Sequence, residues 1–176
     1  MIKKKQKGFS LIELLIVVAI ILIIAAIAIP NLIRSKMAAN EASAVGSVRT
    51  LNTAAITYNS TYGNGFPENL AILGGTGTVS CTNAQLIDTV LASGTKSGYK
   101  FSLLGSATQL TSVSSSCSGG YGYMEGYLTT AVPQSVGTTG QRAFCSDPSG
   151  VIRFNTSGTA TVTTGYACST NDNPLQ

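Results

Sequence analysis

The sequence predicts an α+β protein in which one long N-terminal helix packs on an antiparallel β-sheet of about four strands. Three observations predict it. Leu14 to Ile29 is a run of sixteen residues without a polar side chain. From Ile33 to Tyr62 apolar residues recur at helical spacing. After Tyr99 the period changes to two, and short apolar segments alternate with stretches rich in Gly, Ser and Thr.

The chain opens on a short basic segment with lysines at 3, 4, 5 and 7, followed by Gly8-Phe9-Ser10-Leu11-Ile12-Glu13. Of the eleven basic residues, four lie in the first eight positions. That leaves seven against seven acids, so the formal charge of +4 describes the N-terminus and not the folded surface. Phe9 to Ile29 is 21 residues, about 31 Å as a helix, close to the thickness of a bilayer's hydrocarbon. The preceding lysines place the N-terminus in the cytoplasm, so the chain from Asn31 onward is expected outside the inner membrane. Glu13 stands at the entrance to the apolar run. Burying that carboxylate in hydrocarbon costs about 2.5–3.5 kcal/mol, so a compensating partner is expected. An ordinary secretory signal is the competing reading. Ala26-Ile27-Ala28 imitates its cleavage site, but Glu13 would then fall inside its apolar region.

Beyond Pro30 the helical period resumes. Ile33, Met37, Ala44, Val48, Leu51, Ala55, Tyr58 and Tyr62 form one stripe, with Asn40, Ser43, Ser47, Arg49 and Asn52 mostly between them. One helix is expected from about Ser10 to about Tyr58, bent at Pro30 by the lost hydrogen bond. Gly63, Gly65 and Pro67 end it. A shorter helix is expected over Asn83 to Ser93, with Asn83 as its cap. Tyr99–Leu104, Tyr121–Leu128, Arg142–Cys145 and Val151–Phe154 read as strands, and Thr159–Val162 as a weaker one. Asp147-Pro148-Ser149-Gly150 is a turn that makes the last two main strands a hairpin. Ser112–Gly120 reads as loop. The cluster Tyr58, Tyr62 and Phe66 reads as core.

Four cysteines, Cys81, Cys117, Cys145 and Cys168, all follow the apolar run, with no C-x-x-C pair and no histidine. Beyond an export segment such a set reads as two disulfides rather than a metal site. Four cysteines allow three pairings. Cys145–Cys168 with Cys81–Cys117 is favoured, because each joins neighbours along the chain.

The composition also excludes function classes. Without histidine there is no Ser-His-Asp triad, and there is neither a phosphate-binding loop nor a dinucleotide fingerprint. No enzyme activity, cofactor or metal is expected. Lys96, Lys100, Arg142 and Arg153 are too few and scattered for a nucleic-acid footprint. Asn59-Ser-Thr and Asn155-Thr-Ser match the N-glycosylation triplet only weakly.

Lys7-Gly8-Phe9-Ser10-Leu11-Ile12-Glu13, with the basic leader before it, the apolar run behind it and Pro30 beyond, resembles the class III start of type IV pilins and pseudopilins. The motif covers about 30 residues. The resemblance implies a pilin fold and three regions: a cleaved leader over 1–8, a transmembrane and filament-core half-helix over 9–30, and an exported globular domain over 31–176. It implies cleavage between Gly8 and Phe9 by a prepilin peptidase that also methylates the new amine of Phe9. It further implies that Glu13 pairs with the Phe9 ammonium of a neighbouring subunit, an attraction of about 4 kcal/mol at 4 Å and an effective dielectric near 20. Function would then be that of a structural subunit. It would be stored in the bacterial inner membrane and polymerised, by a cytoplasmic ATPase acting through an inner-membrane platform, into an extracellular pilus for adhesion and twitching motility. A type II secretion pseudopilin is the runner-up. Its common acidic calcium loop has no counterpart in the widely spaced Glu125, Asp147 and Asp172. A secreted or anchored binding module, using the N-terminus only as a signal, is the rival from another class.

Overall fold

Apolar side chains at helical spacing build the first element. A computed structural model describes residues 8–63, 65–106, 124–160, 162–163 and 167–175. Helix α1 spans Leu11–Tyr62 and contains Pro30. It ends one turn later than expected, at Gly63, whose φ of +67° suits glycine. The chain divides into two units, Met1–Lys36 and Met37–Gln176.

In the first unit, α1 is long and apolar enough to cross a membrane, and among the described residues none of its most apolar window is buried. Pro30 removes one amide donor from the ladder, yet helix is present on both sides of it.

In the second unit, Ala44, Val48, Leu51, Ala55 and Tyr58 of α1 are fully buried. They share a core with Tyr99, Phe101, Leu103, Tyr127, Phe144 and Ile152. The sheet has six strands: β1 (Thr95–Lys96), β2 (Tyr99–Gly105), β3 (Tyr127–Pro133), β4 (Ala143–Ser146), β5 (Ile152–Asn155) and, at the far edge, β8 (Asn173–Pro174). All neighbouring pairs are antiparallel. A separate pair is formed by β6 (Val162–Thr163) and β7 (Ala167–Cys168). The α+β class is as expected; the sheet gains a two-residue strand at each edge. The β4–β5 hairpin closes through Gly150 N–H to Asp147 O at 2.9 Å.

Three expectations need correction. The second strand begins at Tyr127 and runs to Pro133, and Tyr121–Tyr123 lie outside the described residues. Its Thr129–Ala131 segment is buried throughout, because a strand paired on both sides and covered on both faces loses the polar alternation that marks a half-exposed one. The helix expected from Asn83 shrinks to α3 (Thr89–Ala92), capped by Asp88, which accepts Leu91 N–H at 2.8 Å. Asn83 instead donates its amide to Thr76 O and Thr78 O, and Gln85 at φ +52° breaks the helical path. A one-turn helix, α2 (Leu70–Leu73), was not expected; Asn69 caps it. The Ser112–Gly120 loop lies outside the described residues.

Candidate functional site

Gly8, Phe9 and Ser10 precede α1 without regular secondary structure and are exposed. A Cβ added at Gly8 would meet nothing within 4 Å, and Gly8 needs no left-handed backbone. The fold itself gives no reason for a glycine there. Phe9 is 84% exposed. Ser10 opens the helix: its carbonyl accepts Leu14 N–H at 3.2 Å. Three residues on, the Glu13 carboxylate reaches back to accept Ser10 N–H at 2.9 Å. This is the glutamate half of a capping box, and the acidic group sits in the first turn, where the helix dipole favours negative charge. Glu13 therefore has a partner inside its own chain. Beyond it, Leu14 to Val18 and Ile20 to Ile24 present large exposed apolar side chains, as do Ile27, Ile29 and Leu32.

A family model described as the prokaryotic N-terminal methylation motif matches residues 3–29. The chain carries a prepilin-type N-terminus. It is 50% identical over 50 residues to the type IV major pilin protein PilA of Myxococcus xanthus, covering 28% of this chain and 23% of that protein. It is 58% identical over 38 residues to the type IV wide pilus major component PilA4 of Thermus thermophilus, covering 22% of this chain and 29% of that protein. The prepilin-type chain thus matches only about a quarter of the length of these curated relatives. No solved structure matches it with significance.

The disulfide-bearing residues lie far along the sequence from this segment. Cys145 on β4 and Cys168 on β7 are bonded, with Cα atoms 5.8 Å apart, and they form a small cluster with Leu128. Cys81 is disulfide-bonded too, and its expected partner Cys117 lies outside the described residues. The segment around Cys81 is held by two tyrosines one helical turn apart. Tyr58 OH donates to Cys81 O at 2.7 Å and Tyr62 OH to Ser80 O at 3.2 Å. Among the described residues, no three of Asp, Glu or Cys converge to hold a metal ion.

One cluster escaped the sequence reading. Glu41 of α1 is buried. Its Oε1 accepts the backbone N–H of Gln141 at 2.8 Å and of Arg142 at 3.1 Å, and its Oε2 accepts Arg142 Nε at 2.8 Å. Burial alone would raise the Glu41 carboxyl; the Gln141 amide, the Arg142 side chain and the Arg142 amide outweigh it and hold the group below its ordinary range. Asn40 donates to Thr139 O at 2.8 Å beside it, and Tyr99 OH donates to Arg142 O at 2.8 Å. A signal was present. The stripe 37, 41, 44, 48, 51, 55, 58, 62 steps strictly by four and three, and Glu41 occupies its one charged place. A charge on a buried stripe needs a partner, but nothing in one dimension says that the partner is residue 142.

Proposed function

We propose that this chain is the structural subunit of a type IV pilus, polymerising through the apolar half of α1 into a cell-surface filament for adhesion and motility. One observation carries the reading: a prepilin-type segment runs directly into an apolar half-helix whose large side chains are exposed among the described residues. Each large apolar side chain left in water forgoes about 1.5–3 kcal/mol of burial. Such a helix needs lipid first and other apolar helices afterwards. The type IV pilins it resembles support filament over piston, and the segment fits membrane anchoring before assembly.

Gly8 supports processing from outside the fold. Since its own chain has room for a side chain, the glycine is a requirement of whatever reads it, a prepilin peptidase cutting at Gly8–Phe9 and methylating Phe9. The role is structural rather than catalytic. After cleavage the Glu13 carboxylate would take a neighbour's Phe9 ammonium, so that a subunit docked out of step would leave a charge unpaired. Copies of this chain, the inner-membrane assembly platform and its ATPase are the implied partners. The inner membrane and then the extracellular pilus are the implied locations.

Mass spectrometry of protein sheared from the cell surface tests this. Chains in filaments are expected to begin at N-methyl-Phe9. Methylated Phe9 confined to inner-membrane fractions would replace the pilus by a pseudopilus. A chain beginning near Ile29 would mean ordinary signal removal and a secreted binding module.

A further inference from the structure

Arg142 is tied down and yet only partly used. Its Nε is spent on Glu41, its carbonyl takes Tyr99 OH, and its guanidinium lies 5.2 Å from the Phe154 ring centroid and 5.6 Å from that of Phe144. The side chain keeps 38% of its surface exposed, against 10% for Glu41. Among the described residues it donates only through Nε. Arg142 lines an open pocket of about 470 Å³ together with Phe154, Asn173, Pro174 and Leu175. Strand register builds this floor. Phe144 pairs with Phe154 and Phe154 with Asn173, so the three stand in one row across β4, β5 and β8.

We infer that this pocket binds a carboxylate carried on a ring-shaped organic body, of the uronic-acid class of sugars. The terminal nitrogens of a held guanidinium offer a planar fork to a carboxylate. The Asn173 amide adds a donor and an acceptor for a ring hydroxyl. Phe154, Pro174 and Leu175 give apolar surface to the ring's C–H face. The volume exceeds what a bare carboxylate fills and falls within the range of small-ligand sites. Glu41 holds the guanidinium in place. Its carboxylate already offsets the Arg142 charge, so the guanidinium offers geometry more than net charge. The same balance keeps the affinity modest, on the order of millimolar, as expected for a small ligand gripped by one fork.

Titration of the full chain in detergent micelles with sodium glucuronate, followed by the Asn173 side-chain amide and Leu175 methyl resonances, tests this. Saturable shifts are expected with glucuronate and none with glucose. Arg142→Lys keeps the charge but loses the fork, and should weaken binding by about tenfold or more. That variant also perturbs the Glu41 pair, so Asn173→Asp, on an exposed edge strand, supplies an independent loss while the melting temperature stays unchanged. Absence of saturable shifts at these residues overturns the site. Inorganic phosphate or N-acetylglutamate amide binding as tightly as glucuronate overturns the sugar-acid class.

Discussion

The Glu13 carboxylate accepts the backbone N–H of Ser10 at 2.9 Å, so the one acid in the apolar half of α1 is already engaged before any second chain arrives. Capping and intersubunit pairing make different demands on the side chain. Glutamine keeps an acceptor oxygen and loses the charge; alanine loses both. Glu13→Ala should fray the first turn of α1, at a cost of about 0.5–1 kcal/mol, and Glu13→Gln by less. Both should stop filament assembly. Amide exchange at Leu11–Leu14 in micelles reads the first effect and electron microscopy of sheared material the second. Normal filaments from Glu13→Gln would leave the carboxylate with capping as its only role.

Gly8→Val should leave the fold untouched, because nothing lies within 4 Å of the added carbon. Its melting temperature should equal that of the parent. The leader should remain attached, which the intact mass of the membrane-extracted chain would reveal.

Glu41→Ala should be among the most damaging single changes outside the apolar core. It leaves two backbone amides and a half-buried guanidinium without their acceptor, a loss of about 2–4 kcal/mol. Glu41→Gln keeps an oxygen for the amides and should cost less. Urea unfolding of both variants would show the order, and equal stability of Glu41→Ala and the parent would remove the pair from the account of how the β3–β4 loop is held.

The same carboxyl sets an acid limit. Its folded-state value lies below the ordinary 4.5, so its contribution is complete above pH 4.5 and is lost as the pH falls through the depressed value. Stability should therefore drop on acidification below about pH 4.5, and Glu41→Gln should flatten that part of the profile. At the alkaline end Tyr127 acts in the opposite sense. Burial first, and the Asp147 charge second, push its hydroxyl from 10.0 up to about 12. Its contribution is complete below pH 10 and is lost between pH 10 and about 12. The Tyr127 hydroxyl has no hydrogen-bond partner among the described residues. Tyr127→Phe should therefore be neutral or stabilising by up to about 1 kcal/mol and should shrink the alkaline loss, as phenolate absorbance against melting temperature would show.

Cys145 and Cys168 are 23 residues apart in sequence. Replacing both by serine should cost about 3 kcal/mol from the freed unfolded chain. Calorimetry of that double variant should show a lower melting temperature, and an unchanged one would mean that the disulfide adds nothing to stability.

The N-terminal segment was legible because its signals are local. Leader charge, glycine, glutamate and apolar run lie within about 30 residues, and a helix makes its own hydrogen bonds without consulting the rest of the chain. The stripe from Ala44 to Tyr58 and three of the four central strands, β2, β4 and β5, were legible in sequence from apolar residues recurring at a fixed spacing or clustering between turn residues. Even the capping box was there to be read, in the spacing of Ser10 and Glu13. Other features depended on choices between segments. Asp88 rather than Asn83 caps α3, because Asn83 is drawn to the carbonyls of Thr76 and Thr78. The strand at Thr129–Ala131 hid its period by being covered on both faces, and β8 is a strand only because β5 offers it an edge. Glu41 and Arg142, 101 residues apart, and the pocket that Arg142 opens with Asn173, exist only in three dimensions. A charge announces on its own that it needs a partner; which partner it meets is decided by how strands and helix pack.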